Sequence, residues 1–148
     1  MREGTTHILR VMLARKPSVY RDIEISSDDS LYALAEAIVQ AFGFDFDHAF
    51  GFYSGLTRKT MMQAQPRYEL FADMGEATDV KSVKKTSVAR AFPKVGKKMV
   101  FLFDYGDEWV FRVAVVGLGE KVARARYSKI LASAGASPQH YPSMDDEE

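Results

Sequence analysis

Between Ser30 and Phe42 the apolar residues Leu31, Leu34, Ala35, Ile38, Val39 and Phe42 recur at i, i+3, i+4, i+7, i+8 and i+11, the spacing that lines one side of an α-helix. A stripe of this kind is stable only when covered, so the rest of the chain must supply an apolar surface to cover it. That excludes disorder of the whole chain. The ends agree with the stripe. Asp28 and Asp29 place negative charge at the start, Asp29 or Ser30 offers a capping oxygen, and Gly43 can turn left-handed past the end.

Strands are the predicted cover. Residues 7–14 and 19–25 form two runs rich in Ile, Val and Leu, read as a hairpin turning at Lys16-Pro17-Ser18. In the second run Val19, Arg21, Ile23 and Ile25 share a mostly apolar face, and Tyr20, Asp22 and Glu24 form an acidic face expected in water. In the first, Leu9, Val11 and Leu13 share one face while Ile8 and Met12 flank Arg10 on the other. A strand partly apolar on both faces belongs inside the sheet or under a partner. Residues 49–53 read as a third strand, 54–65 as a polar excursion and 67–71 as a short strand. Residues 98–104 and 109–116 form a second hairpin in which Phe101, Phe103, Trp109 and Phe111 alternate so that rings meet across the strands. Gly117 and Gly119 read as the close of the sheet, 123–134 as partly helical, and 143–148 as an acidic, disordered tail. A chain of 148 residues supports one hydrophobic core. Residues 1–142 are therefore expected to form a single α+β domain: a mixed sheet packed on one main amphipathic helix, β-grasp-like, with a second, C-terminal hairpin.

Twenty Lys and Arg balance twenty Asp and Glu, a formal net charge of zero that excludes a globally basic nucleic-acid binder. The balance is uneven along the chain. Residues 81–98 hold Lys81, Lys84, Lys85, Arg90, Lys94, Lys97 and Lys98 and no acidic residue, with one or two helical turns expected over 86–92, ended by Pro93. Phosphate contacts from Lys84, Lys85, Lys97 and Lys98 would make the chain a nucleic-acid-binding accessory protein. The bland alternative is a solvated loop, and no recognition helix, RNA-binding aromatic signature or zinc finger is visible.

The absence of cysteine excludes disulfides, a thiolate nucleophile and Cys-containing zinc sites. No apolar run approaches the ~18 residues of a membrane helix, and the N-terminus lacks a signal-peptide core, so a cytoplasmic protein off the membrane is expected. Neither a Gly-x-Ser-x-Gly elbow nor a phosphate-cradling glycine turn is present. The best polar constellation is Asp45, Asp47 and His48 after the helix, with Asp104, Asp107 and Glu108 in the second hairpin turn. Were both turns at one end of the sheet, Asp47, His48, Asp104 and Asp107 could converge on a divalent metal and support a metal-dependent enzyme. The structural alternative is that Gly106 permits a tight turn and the aspartates bond its backbone amides. Trp109 and the series Phe42, Phe44, Phe46, Phe50 and Phe52 read as core or core rim, and His7, His48 and His140 as hydrogen-bonding surface groups.

Several segments together resemble a known family. Lys16-Pro17-Ser18-Val19-Tyr20-Arg21-Asp22-Ile23 is similar to its hairpin motif. Residues 29–34 and 38–44 resemble its helix, which ends in Phe-Gly-aromatic before an acidic residue and a His, here Asp47 and His48. Asp104-Tyr105-Gly106-Asp107-Glu108-Trp109 resembles its Asp-aromatic-Gly-Asp-x-Trp turn, and Pro138-Gln139-His140-Tyr141-Pro142 its Pro-Gln-Tyr-Pro ending. The family is the Ri-plasmid ORF-three-like one, often labelled as plasmid or insertion-element passenger proteins, and the likeness covers about residues 7–53 and 98–142. It implies an α+β domain, no established activity and a link to mobile genetic elements. Two departures bear on the metal hypothesis: Phe111 and Phe50 stand where relatives often carry His, and the Cys-rich stretch of some relatives is replaced by residues 137–148. The resulting expectation is a non-enzymatic binding or adaptor module with no cofactor, whose partner is an unidentified protein or a second copy of the chain.

Overall fold

The computed structural model describes residues 4–57, 59–61, 63–70 and 80–138. Strands β1 (Thr5–Leu13) and β2 (Lys16–Ser26) are followed by helix α1 (Leu31–Ala41), strands β3 (Phe50–Tyr53), β4 (Arg67–Glu69) and β5 (Val80–Ser82), and the short helix α2 (Val88–Ala91). Strands β6 (Lys98–Phe103), β7 (Trp109–Glu120) and β8 (Lys129–Ala134) complete the described chain. All eight strands form one sheet in the order β5-β4-β3-β6-β7-β1-β2-β8. Only the β4–β5 pair is parallel. The fold is α+β and mostly sheet; it is larger than a β-grasp arrangement requires, and β1 runs antiparallel to both β7 and β2.

Helix α1 forms where its stripe predicts. Ser30 Oγ accepts the Ala33 N–H at 3.1 Å, and the end closes as a Schellman motif, with Gly43 N–H on the Gln40 carbonyl and Phe44 N–H on that of Val39. Gly43 takes φ +74°, a conformation cheap only without a Cβ. Leu31, Leu34, Ala35, Ile38, Val39 and Phe42 are all buried in one core with Leu9, Val11, Ile23, Ile25, Phe101, Phe111 and Val113. At about 1.5–3 kcal/mol for each large side chain, that contact is the main stabiliser of the helix. Among the described residues the opposite face of the sheet carries a small cluster, Tyr53, Met61, Val100 and Leu102, with Val110 packed against it.

Segment 81–98 folds its apolar residues against the molecule and leaves Lys81, Lys84, Lys85, Arg90, Lys94 and Lys98 exposed. The Thr86 and Val83 carbonyls accept the Leu31 and Tyr32 N–H groups at the start of α1, which satisfies donors that have no partner inside a helix. Val83, Val88, Ala91 and Phe92 are buried, and α2 falls within the expected 86–92.

Five expectations are corrected. The first hairpin turns at Ala14–Arg15, not at Lys16-Pro17-Ser18, which begins β2; there proline's missing N–H is harmless, because pairing of β2 with β8 starts only at Tyr20. Gly117 and Gly119 do not close the sheet but lie inside β7, paired with Ile8 and Thr6 beyond a bulge. A Cβ on Gly119 would stand 2.7 Å from Thr6 Oγ1, the hydroxyl that bonds Glu24 at 2.7 Å. Residues 129–134 are strand β8 rather than helix, because the free edge of β2 offers a ladder that outweighs local preference. His7 is buried, between Ser27 Oγ at 2.7 Å and the Phe92 carbonyl at 2.8 Å, and the β2 face expected in water is half covered, with Asp22 held bidentately by Arg10. The tail 143–148 and His140 lie outside the described residues.

Candidate functional site

The turn after α1 and the β6–β7 turn do meet at one end of the sheet. Asp104 N–H donates to the Ala49 carbonyl at 2.9 Å, which brings residues 45–49 beside the second hairpin. His48 Nε2 lies 3.3 Å from Asp47 Oδ1 and 3.4 Å from Asp104 Oδ2, so three of the four residues predicted to converge are together. The fourth takes another role. Asp107 contributes its backbone N–H to Asp104 Oδ1 at 3.3 Å, alongside Gly106 N–H at 3.1 Å, as the structural alternative anticipates. The left-handed positions of the turn are Asp104 at φ +66° and Glu108 at φ +55° rather than Gly106. One Asp104 oxygen is thus committed to the turn and the other faces the imidazole. Among the described residues no group of three or more His, Cys, Asp or Glu is arranged to hold a metal ion.

A recess of about 270 Å³ beside His48 is lined by Tyr32, Phe46, Asp47, Ala49, Phe50 and Leu70. Phe50 and Phe111 are both fully packed in the core. Next to this region Tyr53 donates to Glu69 at 2.6 Å and meets the Tyr105 hydroxyl at 2.8 Å. Burial pushes the Tyr105 phenol up to about 12, and burial followed by the bond to Glu69 raises Tyr53 as well.

The four lysines singled out for phosphate contact do not share a patch. Lys81 is level with Tyr68, which is level with Phe52 and so with Phe101, so Lys84 and Lys85 lie beyond the Phe103 end of the sheet. Lys97 and Lys98 lie at the start of β6, the other end. Lys84 Nζ sits 5.4 Å from the Tyr32 ring centre.

A further concavity is on the sheet face away from α1, and no motif pointed to it. A cleft of about 410 Å³ is lined by Ala14, Arg15, Leu56, Thr57, Met61, Val100, Val110 and Arg112. Its floor is the small second cluster, where Met61 and Val100 are 1% and 2% exposed. Its outer wall comes from Leu56, Thr57 and Met61, held in by the Thr60–Met61 backbone, which approaches Gly55 where a Cβ would collide. Arg112 stands on β7 between Val110 and Ala114, and Arg15 comes from the first hairpin turn, its guanidinium 5.7 Å from the Trp109 ring centre. The visible signal was alternation: Val110, Arg112 and Ala114 on β7, like Ile8, Arg10 and Met12 on β1, give the sheet a second face that is neither fully apolar nor fully polar.

Comparison with known proteins follows the same outline. The family model for plasmid pRiA4b ORF-3-like proteins matches residues 5–140. A protein of unknown function from Methanosarcina mazei Go1 has a similar crystal structure, with a TM-score of 0.72 and 17% identity over 87% of this chain and 69% of that one; at such identity the likeness is one of fold. No curated protein matches the chain.

Proposed function

This chain belongs to the plasmid pRiA4b ORF-3-like protein family, and we propose that it works as a non-enzymatic binding module whose recognition site is the cleft on the open face of the sheet. The observation that carries this reading is the shape and chemistry of the cleft. About 410 Å³ of concave, mostly apolar space with a few convergent polar groups is the usual form of a ligand site. Its floor is built on β6 and β7, near the middle of the sheet, so that floor is held by strand ladders on both sides. The acid and imidazole groups at the other candidate site are committed to joining two turns, Asp104 through the Gly106 and Asp107 amides and through His48.

A fragment screen followed by backbone amide chemical-shift mapping tests the proposal. Shifts centred on Val100, Val110 and Arg112 are expected. Fragments that gather instead around His48 and Phe50, or on Lys84 and Lys85, would move the site away from the cleft.

A further inference from the structure

We propose that the open-face cleft takes an amphipathic carboxylate: a small molecule with an apolar body and one anionic head, the head held by Arg112. This rests on the cleft being the binding site and adds the class of ligand. The lining divides cleanly by chemistry. Ala14, Leu56, Met61, Val100 and Val110 offer only apolar surface, and the Thr57 hydroxyl is already engaged at 2.8 Å with that of Thr60. The remaining polar groups of the lining side chains are two guanidiniums, which only donate.

Among the described residues, neither of these guanidiniums forms an ion pair and no carboxylate lines the cleft. Arg10 shows the contrast on the same face: Asp22 grips it with bonds of 2.8 and 3.0 Å, so its charge is spent within the fold. Arg112, one strand away and level with Met12, has no such partner. A second recess of about 120 Å³ shares Leu56 and Arg112 with the cleft and adds Lys98 and Met12, so the positive field extends along β6 and β7 with Arg112 at its centre. A cationic ligand would meet uncompensated repulsion there. A simple anion such as phosphate would leave the apolar floor unused. A carboxylate on an apolar body uses both, because the planar guanidinium fork matches a carboxylate in two parallel hydrogen bonds while the floor takes surface out of water.

Three probes separate the contributions: octanoate, 1-octanol with the same apolar body and no charge, and inorganic phosphate with charge and no body. Titrated against the intact protein with amide shifts as readout, octanoate is expected to bind at the cleft more tightly than either of the others. Its affinity should fall about tenfold or more in Arg112→Gln, as expected for loss of a charge-assisted bond, and less in Arg112→Lys, which keeps the charge and loses the fork. Octanol binding at the cleft as tightly as octanoate, unaffected by Arg112→Gln, would overturn the carboxylate class and leave the cleft standing as the site. Phosphate binding as tightly as octanoate would reduce the cleft to a plain anion site and overturn the amphipathic ligand. Octanoate shifts away from Val100, Val110 and Arg112 would remove both the ligand class and the site. Silence of all three probes at about 1 mM also overturns the ligand class, and fragments still mapping to the cleft would then show that the site survives it. Arg112 is exposed, so both variants should fold, and far-ultraviolet circular dichroism of each confirms it.

Discussion

Asp104 is the residue on which two turns depend. Its left-handed backbone, φ +66°, is one that Asp and Asn tolerate better than most residues, and its Oδ1 accepts the Gly106 and Asp107 amide protons that fix the turn. Asp104→Ala removes the acceptor and keeps the strained φ, so a loss of about 1–3 kcal/mol is expected in urea unfolding. Asp104→Asn keeps both the acceptor and the tolerance and should cost clearly less; equal losses in the two variants would show that Oδ1 is not what holds the turn. The neighbouring phenols make a pH prediction. Tyr105 titrates near 10 in the unfolded chain and is pushed up to about 12 by burial in the folded one. A raised folded pKa means that the stabilising contribution is fully present below pH ~10 and is lost as pH rises from about 10 to about 12. Unfolding midpoints measured across that window should fall, and Tyr105→Phe should fall less steeply; parallel curves for the two proteins would refute the assignment.

At the scale of elements, α1 is the place where local and tertiary demands agree, and Ile38 sits at the middle of its buried stripe with no exposure. Ile38→Asp would bury an unpaired carboxylate in the core that holds Leu9 and Phe101 and should leave the chain unfolded at 25 °C, whereas Gln40→Asp on the solvent side should change stability by about 0.5 kcal/mol or less; a folded Ile38→Asp protein by circular dichroism would contradict the packing. The helix was legible because stripe, Ser30 cap and Gly43 stop are all encoded within fifteen or so residues of one another. The same holds for the second hairpin, where alternating rings specify the register that brings Phe101 opposite Phe111. Strand β8 was not legible, because the choice between helix and strand for residues 129–134 depends on an edge supplied by β2, more than a hundred residues earlier. Arg21 hides in the same way. On an apolar face it reads as an interruption, yet its guanidinium donates to the carbonyls of Ala41, Ala134 and Gly135 and to Ser137 Oγ, joining the end of α1 to β8 and placing positive charge where the helix dipole favours it. The candidate site divides likewise: the convergence of Asp47, His48 and Asp104 followed from two local turns, while the cleft required four separate segments to be assembled and carries no local motif.

Across the whole molecule the strand order interleaves the chain. The N-terminal pair β1–β2 is flanked by β7 on one side and β8 on the other, and both come from the last third of the sequence. Each half therefore leaves the other with unpaired strand edges and an uncovered apolar face, so no large part of the sheet has a complete core alone. Folding should be a single cooperative event. The molecule carries a convenient reporter for this: its one tryptophan, Trp109, stands at the start of β7 with its ring 4.8 Å from that of Phe44, and so reports the contact between the second hairpin and the segment after α1. Far-ultraviolet circular dichroism reports the sheet as a whole. Urea unfolding followed by the two signals should give superimposable curves with one midpoint and one slope. A Trp109 transition at lower urea than the loss of strand signal would mean that β1, β2 and α1 persist without β6 and β7, which the interleaved ladder does not allow, since β7 is the strand that joins β1 to the rest of the sheet.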